Sequence, residues 1–177
     1  MKPIKRLNDI IDSAARVLPS TPDVIYVIAG DGQCRHTAEQ RCRDLGLAQS
    51  FRFPGKLGQP EIASLFALAD IVIMASDFEQ QSRVFLETQA SGRVLIASDI
   101  PGARSVVDDG VTGLLYPCRD VTALASATLR ALQDPALRQS IGLRARARVQ
   151  AHSVDRIGSR VASLLEDVVH SYKPAHA

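Results

Sequence analysis

The sequence lacks the features that identify disulfide-rich, metal-binding, nucleic-acid-binding and membrane-spanning proteins. Its three cysteines, Cys34, Cys42 and Cys118, are odd in number and lack the spacing of metal ligands. We therefore expect reduced cytosolic thiols, not a disulfide framework or a metal site. A net charge of only +2 at pH 7 gives no global sign of a nucleic-acid partner. No apolar run approaches the roughly 18 residues of a membrane span, and the first ten residues lack the apolar centre of a signal peptide.

What the chain does contain is the composition of an ordinary globular protein. It has 177 residues, of which 46% are hydrophobic and 23% charged. That length can bury a sizeable core, and we predict a single domain over residues 1–177. No internal repeat or low-complexity segment interrupts the sequence.

Short apolar runs alternate with amphipathic stretches through the first two thirds of the chain. This alternation predicts an α/β fold, a Rossmann-like parallel sheet with helices on both faces, over about residues 1–118. The predicted strands are residues 24–29, 51–53, 70–75, 94–97 and 113–116, and the predicted helices are residues 4–18, 33–45, 59–69 and 82–91. The runs at 24–29 and 70–75 are continuously apolar, as in strands buried on both faces.

The remaining part, residues 119–177, has helical periodicity throughout. It predicts three helices, at residues 121–133, 135–151 and 154–170. Four arginines lie in the middle helix, at positions 138, 144, 146 and 148. Their simplest interpretation is a solvated helix face, and the alternative is attraction to an anionic membrane surface.

The segment at residues 76–98 contains the most informative pattern. Two carboxylates, Glu79 and Glu87, lie eight positions apart across a loop and the start of a helix. A buried strand, a Pro-Gly turn and a glycine-punctuated segment follow. The matching positions are Ser76, Glu79, Arg83, Val84, Glu87, Gln89, Ala90, Gly92, Ile96, Ala97 and Ser98. This layout resembles the C-terminal, donor-binding domain of GT-B-fold retaining glycosyltransferases of the glycosyl transferases group 1, or family 4, type.

The start of the predicted helix at 82–91 suits a diphosphate. Ser82 and Arg83 lie where unpaired backbone N–H groups and the positive end of the helix dipole meet, and Arg83 adds a charged fork. Glu87 follows one turn later, where its carboxylate can accept hydrogen bonds from a ribose diol. The resemblance implies the same ribose contact, and adds Val84 as a donor-binding position. The alternative for Glu87 is a solvent-facing helix glutamate.

The resemblance makes Glu79 the candidate catalytic residue, placed near the donor sugar as catalyst or as orienter. The alternative is a loop carboxylate that caps the following helix. The chain departs from the family just after it. Gln80, Gln81 and Ser82 stand where glycines and an aromatic residue are usual, which affects the space left for the sugar.

Four further donor-binding positions follow from the resemblance. Lys5 matches the lysine of a diphosphate clamp, although a surface lysine is the alternative. Gly30 and Gly32 match a Gly-x-Gly that brings a loop close to the donor, although this could equally be a simple strand–helix turn. Pro54 matches a loop near the nucleotide base.

The resemblance implies a function. The expected reaction is transfer of a hexose from a nucleoside-diphosphate sugar, of the UDP or GDP type, to a polysaccharide, lipopolysaccharide or glycolipid acceptor. It implies no cofactor and no metal, and a cytoplasmic location that could include the inner face of a membrane. A non-catalytic nucleotide-sugar-binding remnant is the alternative, and a GT-B-fold sugar-nucleotide epimerase is less favoured.

The resemblance covers about residues 5–169 but not the family's acceptor-binding domain, nor the first strand of its donor domain. We therefore expect a fragment, a misassigned start or a decayed gene, which is inactive in transfer by itself. The missing strand is central in a sheet of order 3-2-1-4-5-6. Strand 24–29 is then expected to close onto strand 70–75, to capture another chain, or to fray, with low stability and self-association through unpaired edges.

Overall fold

The computed structural model describes residues 1–80, 82–150 and 153–171. The strands are β1 (Tyr26–Ala29), β2 (Phe51–Gly55), β3 (Ile71–Met74), β4 (Val94–Ser98) and β5 (Leu114–Tyr116). The helices are α1 (Leu7–Val17), α2 (Arg35–Asp44), α3 (Gln59–Leu68), α4 (Arg83–Ala90), α5 (Pro101–Arg104), α6 (Val121–Gln133), α7 (Pro135–Val149) and α8 (Val154–Ser171). Short 3-10 helices occupy Pro3–Lys5, Leu18–Ser20 and Ala48–Ser50.

All strand pairs are parallel, which confirms the predicted α/β class. The strands form two hydrogen-bonded sets, β1 with β2 and β3 with β4 and β5. Within the described residues, β1 and β3 are not paired with each other, and no strand lies between them. The expectation that strand 24–29 closes directly onto strand 70–75 is therefore wrong.

The two strand sets leave a gap between β1 and β3, and both of these strands are less buried than the sequence predicts. In β1, Tyr26 and Ile28 are buried but Val27 is 41% exposed, and all four residues of β3 are only partly buried. By contrast, β4 is buried along its whole length. The prediction that residues 24–29 and 70–75 are buried on both faces is wrong, because each strand has a neighbouring strand on only one side.

The predicted helix at residues 4–18 is divided at Arg6. This residue has a left-handed φ of 51°, and α1 begins directly after it. Its guanidinium group donates to the Asp9 carboxylate at 2.9 and 3.0 Å, which holds the break in place. The division leaves Lys5 on a separate 3-10 turn. The Pro-Gly turn expected at residue 101 is instead the start of α5.

Helix packing joins the two strand sets. α1 packs against α6, and Ile10 of α1 contacts the apolar cores beneath both sets. None of the helices in the described part of the chain combines the length and the apolar character that crossing a membrane requires.

Three of the four arginines on α7 make hydrogen bonds or ion pairs with neighbouring segments. Arg138 donates to the carbonyl groups of Ala131 and Leu132 at the end of α6, at 2.7 Å each. Arg144 donates to the Val111 carbonyl at 2.9 Å, and Arg148 pairs with Asp108. Arg144 is exposed, as a solvated helix face predicts, while the partly buried Arg138 and Arg148 also contact neighbouring segments. The fourth, Arg146, is exposed.

Candidate functional site

Most of the predicted site residues lie on α4 or on loops that follow the carboxyl ends of the strands, whereas Lys5 lies on the Pro3–Lys5 turn and Pro54 lies within β2. The loop after β1 contains Gly30 and Gly32, and the loop after β3 contains Glu79 and leads into α4. Loops at the carboxyl ends of parallel strands form one edge of a sheet, where ligands of α/β proteins bind. This edge is therefore the candidate site.

The structure brings Lys5 and Glu79 into direct contact. The Lys5 ammonium group donates to the Glu79 carboxylate and forms an ion pair with it. The Ser76 hydroxyl donates to the same carboxylate oxygen at 2.9 Å. Ser76 is itself buried at the end of β3, and its carbonyl accepts a hydrogen bond from the Ser98 hydroxyl at 2.5 Å. Glu79 is therefore held by neighbours on both sides and is not a freely moving loop carboxylate.

Asp77 forms a second charged cluster beside this pair. Its carboxylate accepts from Arg119 at 2.9 and 3.2 Å and lies 3.8 Å from Arg6. The Arg119 hydrogen bonds lower the pKa of Asp77, with smaller contributions from the Cys118 thiol and the Arg6 charge. Burial and the hydrogen bond to Asp77 raise the pKa of Cys118.

The backbone of Asp77 connects the two clusters. Its N–H donates to the Ile4 carbonyl at 2.9 Å, which fastens the turn that carries Lys5 to the loop that carries Glu79. The site residues predicted from the sequence do not include Asp77, Arg119 or Ser76, although Ser76 is one of the matched motif positions. The available signal was a pair of polar residues, Ser76 and Asp77, directly after a buried strand.

Gly102 at the start of α5 also shapes the Glu79 loop. A Cβ atom at Gly102 would lie 1.9 Å from the Glu79 carbonyl oxygen and 2.5 Å from that of Gln80. Only a residue without a side chain allows this approach of α5 to the loop. Gln81, the next residue of the loop, lies outside the described residues.

The first turn of α4 bears polar side chains that have no partner among the described residues. Ser82 is the N-cap residue but its hydroxyl makes no capping hydrogen bond. Arg83 is exposed, and among the described residues its side chain has no hydrogen-bond or ion-pair partner. The half-buried Glu87, one turn later, likewise has no side-chain partner there. Val84, between them, faces the gap between β1 and β3.

The glycines after β1 adopt conformations that other residues avoid. Gly30 has φ of 113° and donates to the Gly55 carbonyl at 2.7 Å, and Gly32 has φ of 137°. A Cβ at Gly32 would lie 2.1 Å from the Met1 nitrogen. The close approach that Gly32 permits in this structure is therefore to the backbone of Met1.

Pro54 lies apart from the Lys5–Glu79 pair, within β2 in the other strand set. It is exposed, and it lines a shallow depression with Val27, Leu57 and residues of α3. A proline is tolerated there because β2 is an edge strand whose outer N–H groups need no partner. Among the described residues, no group of three or more His, Cys, Asp or Glu side chains could hold a metal ion. The absence of a metal from the reaction remains a prediction.

Comparison with known proteins supports the resemblance of the motif. Residues 1–148 match the family described as glycosyl transferases group 1. The chain belongs to this family. Its α/β fold with parallel strands is shared with glycosyltransferases of the GT-B type, including the solved structure of TarM from S. aureus, with a TM-score of 0.85 at 23% identity over 93% of this chain and 33% of that one.

Two further proteins are similar to the chain over nearly its whole length. Alpha-D-kanosaminyltransferase of Streptomyces kanamyceticus is 30% identical over 165 residues, covering 93% of this chain and 43% of the relative. HepE of Anabaena, solved in complex with UDP and glucose, has a TM-score of 0.86 at 26% identity, over 94% of this chain and 46% of that one. The chain thus spans less than half the length of these relatives.

Proposed function

We propose that the chain is the donor-binding domain of a glycosyltransferase that transfers a hexose from a nucleoside-diphosphate sugar. The proposed acceptor is a polysaccharide, a lipopolysaccharide or a glycolipid. The proposal rests on two side chains of α4. Arg83 at the first turn and Glu87 one turn later both lack side-chain partners among the described residues. A cation and a carboxylate in this arrangement suit a diphosphate and a ribose.

The diphosphate would lie at the start of α4. Backbone N–H groups at a helix N-terminus and the helix dipole favour an anion, and the Ser82 side chain does not cap these groups. Arg83 would donate to the phosphate oxygens as a fork. Lys5 would contribute a second cation from the opposite turn, in competition with its present partner Glu79.

The ribose and the sugar would lie on either side of the diphosphate. Glu87 would accept hydrogen bonds from the ribose hydroxyls, since a carboxylate has acceptor sites for two donors. Glu79 would face the hexose, held by Ser76 and Lys5. In that position its carboxylate can orient a sugar hydroxyl or stabilise positive charge that develops as the donor bond breaks.

The complete reaction needs more than this domain. The chain covers less than half of its relatives, and we place the acceptor site outside residues 1–177. Holding donor and acceptor in attack geometry can supply about 7–11 kcal/mol of a barrier. Without that contribution the isolated chain would show, at most, slow hydrolysis of the donor. We place the protein in the cytoplasm, and propose that the exposed apolar residues of α8 contact a membrane surface.

A second candidate is a module that binds a nucleotide sugar without catalysis. It is favoured by Ser82, whose side chain occupies the place of a family glycine at the sugar side of α4. Acceptor-dependent transfer by a longer protein that contains this domain would separate the two candidates.

Calorimetry tests the shared claim of both candidates. UDP and GDP are titrated separately into the 177-residue chain, with uridine and guanosine as controls that lack the diphosphate. We expect saturable 1:1 binding of at least one diphosphate, and much weaker binding of its nucleoside. The absence of saturation by either diphosphate up to about 1 mM would contradict the proposal.

A further inference from the structure

A groove of about 350 Å³ lies between α7 and the turn that joins α4 to β4. Its walls include Asp70, directly before β3, and Val94, the first residue of β4. β3 and β4 are parallel, so these residues mark the amino-terminal edge of the sheet, whereas the candidate donor site lies at the carboxyl-terminal edge. β4 has five residues, and a rise of about 3.3 Å per residue places the two edges about 13 Å apart. The groove is therefore separate from the donor site.

Two glycines bring the walls of the groove together. Gly92 follows α4 with a left-handed φ of 66°, and its backbone lies against Gly142 in the middle of α7. A Cβ at Gly142 would lie 2.1 Å from the Gly92 carbonyl oxygen, so only a residue without a side chain allows the turn to approach the helix this closely. The surface of α7 is therefore recessed at this position.

Two of the α7 arginines flank the recess. Arg138 lies four positions before Gly142, and Arg146 lies four positions after it. Residues four apart share one face of a helix, and all three residues line the groove. Arg144 and Arg148 do not line it, and instead contact another segment of the chain. The basic run of α7 is thus divided into two pairs, of which one faces the groove.

Arg93 adds a third guanidinium group from the turn between α4 and β4. One of its nitrogen atoms donates to the Ala67 carbonyl of α3, and Arg138 uses one nitrogen atom for the carbonyl groups at the end of α6. A guanidinium group has five donors, so these contacts fix both side chains and leave further donors. Among the described residues, the buried Nε of Arg93 has no partner. A buried donor without a partner is uncommon, and an ion or a water molecule is one way in which such a group is satisfied.

The groove has an excess of positive charge. Three arginines line it, and Asp70 is the only acidic residue among its described lining residues. Asp70 lies 3.8 Å from Arg138 and its side chain is 68% exposed, so it neutralises that arginine only weakly. Arg146 is exposed, and its side chain has no hydrogen-bond or ion-pair partner in the part of the chain that the structure describes. Arg146 is therefore a cation that is free to bind an anion.

We propose that this groove binds a phosphate monoester, carried either by a small soluble molecule or by the headgroup of a lipid. Guanidinium forks match the geometry of phosphate oxygens and bind them through paired hydrogen bonds. A monoester carries a charge of about −1.5 to −2 at pH 7, which matches an excess of two arginines over acids in the groove. A phosphodiester carries a single charge and fits less well. The site is independent of the proposed donor-binding function.

The size of the groove is consistent with a ligand larger than phosphate itself. Ligand pockets in proteins begin at about 300 Å³, and this groove has about 350 Å³. The exposed Leu143 at its wall offers an apolar contact to the organic part of the ligand. The phosphate would lie between the arginines, above the contact of Gly92 with Gly142.

Titration of the isotope-labelled 177-residue chain with glycerol 3-phosphate, followed by amide NMR spectroscopy, tests the proposal. We expect saturable shifts at the amides of Gly92, Arg93 and Gly142, and no shifts with glycerol as the control. Shifts at Arg83 would report the donor site, so success or failure there is observed separately. The absence of saturable shifts at Gly92 and Gly142 up to about 10 mM ligand would overturn the proposal.

Three variants that each lower the net charge of the chain by one locate the ligand. Arg146→Gln removes the free guanidinium group, Gln139→Glu places a carboxylate at the exposed wall of the groove, and Arg144→Gln is the control outside it on the same helix. The loss of hydrogen bonds to a charged ligand should lower affinity at least about tenfold for the first two variants. We expect affinity to be unchanged for Arg144→Gln. Equal affinities for Arg146→Gln and Arg144→Gln would overturn the proposal.

Vesicle flotation distinguishes a lipid from a soluble ligand. Phosphatidylcholine vesicles that contain phosphatidic acid, a monoester, are compared with vesicles that contain the same fraction of phosphatidylglycerol, a diester. Preference for phosphatidic acid that Arg146→Gln removes would support the site and assign it to a lipid. Binding of glycerol 3-phosphate without such a preference would support the site and assign it to a soluble ligand. Vesicle binding that Arg146→Gln leaves unchanged, with no saturable binding of glycerol 3-phosphate, would overturn the proposal.

Discussion

Lys5 donates a hydrogen bond to the carboxylate of Glu79, a residue 74 positions later in the chain. The contact neutralises the cation that we assign to the diphosphate and the carboxylate that we assign to the sugar. The two side chains are 40% and 15% exposed, respectively, so solvent weakens their attraction. A bound diphosphate can therefore compete with Glu79 for Lys5.

This competition predicts that Glu79→Gln tightens nucleoside-diphosphate binding. Losing the negative charge frees Lys5 and removes repulsion of the phosphates. A partly exposed ion pair contributes up to about 1 kcal/mol, so we expect affinity to rise about 2- to 5-fold. Calorimetry at low and high salt checks the result, since screening should reduce the gain. Lys5→Ala should weaken binding, and tighter binding by that variant would contradict the assignment.

Glu87→Ala is expected to weaken nucleoside-diphosphate binding through loss of the ribose contact. Hydrogen bonds to charged groups contribute about 1.5–3 kcal/mol, which corresponds to roughly 10- to 150-fold in the dissociation constant. Glu166→Ala is the matched control, because Glu166 is exposed on α8 and outside the site. Calorimetry that finds the same affinity for wild type and Glu87→Ala would remove Glu87 from the site.

Gly102→Ala is expected to displace the Glu79 loop. The new methyl group would lie 1.9 Å from the Glu79 carbonyl oxygen, so α5 or the loop must move. Forced insertion of a methyl group typically costs about 1–3 kcal/mol. The control is Gly158→Ala in α8, where the added Cβ has no atom within 4 Å and helix propensity favours alanine. Urea unfolding measures both, and a Gly102→Ala protein as stable as wild type would contradict the contact.

The Asp77 cluster predicts a loss of stability in acid. The hydrogen bonds from Arg119 hold the folded pKa of Asp77 below its usual value, so the ionised group stabilises the folded state at neutral pH. That contribution is lost as the pH falls below about 4 and through the lowered pKa. We expect Asp77→Asn to cost about 1 kcal/mol at pH 7, and the cost to shrink toward pH 3.

Urea unfolding of wild type and Asp77→Asn across this pH range measures the difference. Asp23→Asn is the control, because the exposed Asp23 has no side-chain partner among the described residues. A difference between wild type and Asp77→Asn that stays constant from pH 7 to pH 3 would show that the pairing with Arg119 does not act through the ionised carboxylate.

Local features were predictable from the sequence because their signals lie within a few residues. The alternation of apolar runs and amphipathic stretches predicted parallel strands and helices, and α6 begins and ends at the predicted residues. The resemblance of the motif at residues 76–98 to the glycosyl transferases group 1 is confirmed by the family match over residues 1–148. The break at Arg6 was missed, because an apolar stripe continues through it and only the left-handed backbone there divides the helix.

By itself the sequence determined the fold class and the family, since apolar periodicity and the residues of a motif are properties of neighbouring positions. Only the tertiary structure decided which distant groups meet. The Lys5–Glu79 ion pair, the contact of Gly32 with Met1 and the approach of Gly102 to the Glu79 loop join segments far apart in the chain. The partial exposure of β1 and β3, the strands that border the gap between the two strand sets, has the same cause. Burial depends on which strand lies alongside, and an apolar run of residues does not encode its neighbour.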